Sequence, residues 1–177
     1  MMKKIYVLLG LLLVMSASAQ WRLTPDGLLD VNDDNYLELY VEEGKAAEMY
    51  EKVVAYVNEN YHKPEEVMKG QPGEKLTIRT TKRYGIRRTE MDKYDISYEL
   101  ILEFKEGRVK VSQPIFDLTR SEKQNQLLKI QSANARELGI WNKNGKLKSE
   151  MAKDDIERFF NDIILGLKEA LGVKDDW

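Results

Sequence analysis

The sequence contains no cysteine and a single histidine, His62, and these two scarcities remove several classes of site. A chain without cysteine forms no disulfide, thiolate metal site, haem thioether link or thiol nucleophile. His62 lies just past a predicted helix, beside Lys63-Pro64, a position typical of a histidine that interacts with the last carbonyl groups of the helix. The sequence therefore predicts no metal site, no cofactor and no catalytic residue.

Long hydrophobic runs are also scarce, with one exception at the start of the chain. Lys3 and Lys4 precede an apolar run from Ile5 to Met15, and Ala17-Ser18-Ala19 follows it. This order is the pattern of a secretory signal peptide. The run is shorter than the roughly 20 residues of a membrane-spanning helix. We expect cleavage before Gln20, which leaves an exported chain, periplasmic or extracellular, with no transmembrane segment.

The charge balance limits the classes of partner. Without Lys3 and Lys4, 26 of the 28 basic residues remain against 30 acidic ones, so the formal net charge moves from -2 to -4. Nucleic-acid binding depends on neutralising phosphates with Lys and Arg, so we expect no nucleic-acid partner. An envelope protein or a glycan is the expected class of partner.

Residues 20–177 are predicted to form one α+β domain, since a typical domain has about 100 to 200 residues. The segment 20–35 is rich in turn residues and is expected to be irregular. Apolar side chains then alternate from Tyr36 to Val41, which predicts a strand, and recur at helical spacing from Lys45 to Asn60.

The middle of the chain has the period of a β-sheet. Short strands are predicted at Leu76 to Thr81 and Arg83 to Thr89. The clearest strand runs from Tyr94 to Phe104, with apolar residues at every even position. A tight reversal around Gly107 then leads to a partner strand from Val109 to Ile115, in which Pro114 marks an end or an edge.

The C-terminal part combines one strong helix with a connecting segment, residues 119–148. Leu127, Leu128 and Leu138 are compatible with a helix between Ser121 and Leu138. The strong helix spans about 149–171, with Ser149 as its N-cap and Gly172 as its end. The order β-α-β-β-β-β-α predicts two layers, a sheet with helices on one face.

Several of these segments resemble a known family. They are the signal end at Ala19-Gln20, the helix from Tyr50 to Asn60, and the hairpin from Tyr98 to Val111 followed by Ile115-Phe116-Asp117. Over roughly Tyr36 to Leu118 the chain is similar to the secreted Bacteroidetes domain of unknown function 4468 (DUF4468), which has a TBP-like fold. The resemblance implies a TBP-like core at about 36–118, with a curved antiparallel sheet and helices on one side. It implies no activity and assigns no functional residue.

A basic segment is the candidate ligand-binding site. Lys82, Arg83, Arg87 and Arg88 are interleaved with Tyr84 and Ile86, a pattern that can hold phosphates, sulfates or acidic glycans. The alternative is a solvated hairpin, because acidic residues follow closely and neutralise the patch; they are Glu90, Asp92 and Asp95.

Other polar patterns carry weaker hypotheses. Asp30, Asn32 and Asp34 have the alternate spacing of a calcium loop, but Asn35 and Val41 stand where such a loop needs glycine and glutamate, which favours a polar turn. We expect the three tryptophan side chains to pack against the protein instead of stacking on sugars. They are Trp21, Trp141 and Trp177.

Two function hypotheses follow. The first is an exported, non-catalytic binding or interaction domain that works through the exposed sheet face or the basic hairpin. The alternative is an envelope hydrolase that uses two carboxyl groups on a glycan or peptide. Its candidate pairs are Glu42-Glu43, Glu65-Glu66 and Asp154-Asp155.

Overall fold

The structure is a computed structural model that describes residues 20–122 and 126–173. The predicted signal peptide and Trp177 lie outside the described residues. The strands are β1 (Arg22–Thr24), β2 (Gly27–Leu29), β3 (Tyr36–Tyr40), β4 (Met68–Gln71), β5 (Lys75–Arg87), β6 (Lys93–Lys105), β7 (Arg108–Ser112), β8 (Ile115–Arg120), β9 (Leu127–Gln131) and β10 (Leu138–Trp141). The helices are α1 (Ala46–Asn60), α2 (Pro64–Val67) and α3 (Glu150–Leu171).

The long strand β6 is the centre of the main sheet. Its one edge pairs with β5, which in turn pairs with β4. Its other edge pairs with β8 along the first half and with β7 along the second half. The sheet continues from β7 to β3 and from β8 to β9 and β10. All these pairs are antiparallel except β9 with β10, which confirms the predicted antiparallel sheet.

The predicted return strand is present but interrupted by a bulge. Leu102 pairs with Val111, whereas Glu99, three residues back on β6, pairs with Ile115, four residues further on. The extra residue falls at Gln113-Pro114, and proline has no N–H to donate to the ladder. The two halves of the return strand consequently acquire different outer neighbours.

The two long helices cover one face of the sheet. The even-numbered residues of β6, from Tyr94 to Phe104, are buried, whereas the odd-numbered ones are not. The Tyr98 ring centroid lies 5.2 Å from that of Phe159 and 5.7 Å from that of Phe160, both on α3. On α1, Tyr50 meets Phe104 edge to face at 5.4 Å. Such aromatic pairs contribute about 0.5 to 1.5 kcal/mol each beyond their burial.

Both predicted ends of the last helix are confirmed. The Ser149 hydroxyl oxygen accepts a hydrogen bond from the Ala152 N–H at 3.2 Å. Gly172 ends the helix at φ 74°, a conformation that glycine adopts without the clash of a side chain. The helix is also pinned near its start, because the Ser149 hydroxyl donates to the Arg88 carbonyl at 2.8 Å.

The segment 20–35 is more regular than expected. It forms a two-stranded sheet of β1 and β2, and Trp21 and Leu23 are each 2% exposed. The side chains of α3 satisfy the hairpin backbone, since the N–H groups of Trp21 and Leu23 donate to Asn161 at 2.7 Å and Glu157 at 2.8 Å. This order depends on residues more than a hundred positions away, so the local turn pattern does not reveal it.

Two further predictions on the sheet were wrong. The described part of the segment 121–138 contains strand β9 instead of a helix, and β10 begins at Leu138. Leu127 is 45% exposed and Leu128 only 3%, the alternation of a strand that pairs with the free edge of β8. Residues 83–89 do not form a separate strand, because β5 continues to Arg87 through a bulge between Lys82 and Ile86.

Candidate functional site

The sheet face opposite the helices is a candidate surface, and we call it the open face. Residues at alternate positions of β3, β5, β6 and β7 point to it, because the intervening positions are buried under the helices. They are Tyr36, Glu38, Tyr40, Thr77, Arg79, Thr81, Asp95, Ser97, Glu99, Ile101, Glu103, Arg108 and Lys110.

Polar side chains on the open face are paired across the strands. Arg79 donates through Nε to Glu99 at 2.8 Å, and the Thr81 and Ser97 hydroxyl oxygens lie 2.8 Å apart. Exposed pairs of this kind contribute about 0 to 1 kcal/mol each. Their main effect is to hold the donors and acceptors of the face in a fixed pattern.

Two tyrosines and two basic residues form the β3 end of the open face. Glu38 accepts from the Tyr40 hydroxyl at 2.6 Å and from Arg108 at 3.2 Å, and the hydrogen bond to Glu38 raises the pKa of Tyr40. The Lys110 ammonium lies 4.8 Å from the centroid of the Tyr36 ring. Tyr40 is nevertheless 65% exposed, so most of its ring is free to contact another molecule.

The outer edge of β3 presents backbone hydrogen-bonding groups. Val41 donates to the Gly107 carbonyl at 2.9 Å and Gln113 to the Asn35 carbonyl at 2.8 Å, which places the odd-numbered residues of β3 in the hydrogen-bonded pairs with β7. The N–H and C=O groups of Tyr36, Glu38 and Tyr40 therefore point away from β7. Among the described strands, only β7 pairs with β3.

The predicted basic site is divided by the β5 bulge. Lys82 and Arg83 are exposed, and the Arg83 guanidinium lies 5.4 Å from the Tyr84 ring centroid. Tyr84 has φ 53°, and its N–H donates to the Asp95 carboxylate at 2.8 Å. The bulge thus separates these two cations from the other half of the patch.

Arg87 is held by the last helix. Its backbone N–H, Nε and Nη2 donate to the Asp155 carboxylate at 3.0, 2.8 and 2.8 Å. The Asp155 side chain is 6% exposed, and the hydrogen bonds from Arg87 hold the pKa of Asp155 below its usual value. Arg87 therefore connects β5 to α3 instead of offering a free cation.

Arg88 faces one acidic residue that the sequence analysis named, Asp92, and two residues that it did not connect with the basic site, Tyr94 and Arg120. Its Nη1 lies 3.6 Å from Asp92, to which Arg120 of β8 also binds. Tyr94 lies on the same face, because it pairs with Ile86 on one side and Arg120 on the other. Arg120 is distant in sequence, and the alternation of β6 identified Tyr94 only as a core residue.

The carboxylate hypotheses gain no geometric support. Asp30 closes a polar turn, since its carboxylate accepts from the N–H groups of Asn32 and Asp34, both at 2.7 Å. Glu66 binds Lys63 at 2.7 Å, and Asp154 is exposed. Within residues 20–122 and 126–173, no group of three or more His, Asp or Glu side chains is placed to hold a metal ion.

The remaining candidates lie apart from these surfaces. Trp21 and Trp141 are 2% and 7% exposed, which confirms the packing interpretation for both. His62 is exposed beyond the end of α1. A groove of about 640 Å³ is lined by residues of α1 and α3, among them Tyr56, and burial of the Tyr56 hydroxyl raises its pKa to about 12.

Two solved structures have a similar architecture. One is a DUF4468 family protein from Bacteroides ovatus, at 14% identity and a TM-score of 0.54 over 80% of this chain and 87% of that one. The other is a TBP-like protein from Parabacteroides distasonis, at 12% identity and a TM-score of 0.56 over 79% and 92% of the two chains. This chain has a TBP-like fold. The fold expected from the DUF4468 resemblance is confirmed.

The comparisons assign no function to the TBP-like domain. No protein-family model and no curated protein matches its sequence. At this level of identity the structural likeness concerns the fold, and a shared fold does not imply a shared function. None of the helices in the described residues has the length and apolar character needed to cross a membrane.

Proposed function

We propose that this TBP-like domain is an exported, non-catalytic binding domain that contacts an envelope protein through its open face. The observation that carries the proposal is the uncovered sheet face. On this face Tyr40 of β3 is 65% exposed, and Ile115 of β8, which pairs with Glu99, is 66% exposed. Exposed aromatic and arginine side chains are enriched in protein interfaces. Tyr40 and Arg108 supply both types at one end of the face.

The edge of β3 favours a protein partner over a glycan. The outward N–H and C=O groups of Tyr36, Glu38 and Tyr40 match an extended peptide, which adds to a sheet edge through main-chain hydrogen bonds. The alternating side chains of β3 then contact the added segment on the open face. A glycan would use the tyrosine rings but not this ladder.

Site-specific photo-crosslinking in native envelope tests the binding surface. We expect one protein to crosslink to a photoreactive residue at Tyr40 or Ile115, and no crosslink at the matched exposed position Glu51 on α1. Glu38→Pro should abolish the Tyr40 crosslink, because proline removes an outward N–H from the edge. Equal crosslinking at Glu51, or an unchanged Tyr40 crosslink in the folded proline variant, contradicts the proposal.

Export is supported by the basic, apolar and small-residue pattern of residues 1–19. Mass spectrometry of the protein from its own host should give Gln20 as the first residue, in the periplasmic or extracellular fraction. An intact Met1 on protein from the cytosol contradicts export and also removes the envelope partner.

The hydrolase alternative requires two carboxyl groups that converge about 5 to 10 Å apart across a cleft. Asp155 is instead engaged by Arg87, and its lowered pKa is the opposite of what a general acid needs. Glu42 and Glu43 are both exposed on the turn after β3. The described geometry therefore supports binding more than hydrolysis.

A further inference from the structure

A second polar site lies on the helix side of the sheet, away from the open face. It consists of Arg88, Asp92, Tyr94 and Arg120, which we call the arginine cluster. Tyr94 and Arg120 are direct partners across β6 and β8. Arg88 follows the Ile86 that pairs with Tyr94, and its N–H bonds to the Asp92 carbonyl at 2.9 Å. These pairings bring both guanidinium groups to the same end of the sheet.

The arginine cluster contains more donors than acceptors. Asp92 accepts a hydrogen bond from Arg120 Nη2, and Gln126 accepts one from Arg120 Nη1 at 2.7 Å. Arg88 Nη1 is 3.6 Å from Asp92, which is too far for a hydrogen bond. One carboxylate thus faces two guanidinium groups.

Two buried polar atoms of the arginine cluster have no partner. Arg88 Nε and the Tyr94 hydroxyl are buried, and neither forms a hydrogen bond to any described residue. Tyr94 as a whole is 0% exposed. Leaving such an atom unsatisfied costs about 1 to 3 kcal/mol, so buried polar atoms in folded proteins normally have a partner. Both groups are hydrogen-bond donors, so each of them needs an acceptor atom.

The arginine cluster is partly exposed and is held in place. The side chains of Arg88, Asp92 and Arg120 are 27%, 22% and 25% exposed. Arg120 also lines a cavity of about 420 Å³, whose other charged residues are Lys93, Glu90 and Glu122. The hydrogen bond from Ser149 to the Arg88 carbonyl fixes the backbone of the cluster against the start of α3.

We propose that the arginine cluster binds a small oxoanion, a carboxylate, phosphate or sulfate group, through Arg88 Nε and the Tyr94 hydroxyl. The guanidinium fork matches the paired oxygens of such groups and forms strong charge-assisted hydrogen bonds to them. Arg120 neutralises the Asp92 carboxylate, which would otherwise repel the anion. The site is independent of the partner proposed for the open face.

Thermal unfolding of the purified protein with added anions tests this site. Inorganic phosphate, sulfate and acetate are titrated separately at constant ionic strength, with chloride as the reference. At least one of the three should raise the melting temperature with saturation, and comparison of the three identifies the preferred group. Arg88→Gln and Tyr94→Phe should weaken the apparent affinity by about tenfold or more, since each removes one hydrogen bond to a charged ligand.

Arg83→Gln is the matched control, because it removes an exposed cation from the same strand and should leave the affinity unchanged. Arg88→Lys keeps the charge but lacks Nε, and it should also lose binding while folding normally by circular dichroism. The proposal is overturned if none of the anions gives a saturable shift. It is also overturned if folded Arg88→Lys binds the anion as tightly as the wild type does. A loss of anion affinity in Arg83→Gln as large as that in Arg88→Gln overturns it as well.

Discussion

Ser149→Ala should destabilise the domain more than any ordinary serine replacement. The Ser149 hydroxyl accepts from the Ala152 N–H and donates to the Arg88 carbonyl, and the residue is 6% exposed. Loss of an N-cap costs about 1 kcal/mol. Loss of the second hydrogen bond leaves a partly buried carbonyl unsatisfied, which costs about 1 kcal/mol more.

The sum of about 2 kcal/mol corresponds to a fall in melting temperature of about 4 to 8 °C for a domain of this size. Urea unfolding followed by circular dichroism gives the free energy directly. Ser149→Thr keeps a hydroxyl with both functions and should recover at least half of the loss. Ser97→Ala on the open face, where the hydroxyl is exposed, should change stability by less than about 0.5 kcal/mol.

A Ser149→Ala effect as small as that of Ser97→Ala would refute this reasoning. It would mean that water replaces both hydrogen bonds without cost, so that Ser149 does not hold the turn between β5 and β6 against the start of α3.

Two further predictions concern the packing of α3. Asp155→Asn should lower the urea midpoint at pH 7, and the difference from wild type should begin to shrink as the pH falls below about 4, the unfolded pKa of aspartate. Arg87 lowers the folded pKa of Asp155, so its contribution is present above that pH and is lost on descent through the folded pKa; an equal difference at pH 2.5 would contradict this. Gly166→Ala gains about 1 kcal/mol of helix propensity but places a methyl group within 2.7 to 3.0 Å of the Tyr56 ring, which costs about 1 to 3 kcal/mol. Urea unfolding should therefore show a stability change near zero or negative in the wild type and a gain of about 1 kcal/mol in a Tyr56→Ala background; an equal change in both backgrounds would be evidence against the contact.

Local periodicity was sufficient for the elements that bury one face by themselves. The alternation from Tyr94 to Phe104 and the apolar stripe of α3 predicted both elements, because a buried residue every second or every third to fourth position leaves one regular structure that hides them. Ser149 and Gly172 marked the helix ends for the same local reason. Local periodicity was not sufficient around Leu127, where it suggested a helix. The strand that these residues form depends on pairing with the edge of β8.

For the candidate sites as well, the sequence indicated individual residues but not their partners in the fold. The sequence indicated Arg88 as a candidate because of its basic neighbours. It did not predict the pairing of Arg87 with Asp155, which lies 68 positions away. It also gave no reason to place Arg120 beside Asp92. Local spacing and composition thus determined the two-layer architecture, and they predict a signal for export. Only the folded sheet decided which charges are neutralised and which donors stay unpaired, because those outcomes depend on contacts between strands and helices that are far apart in the chain.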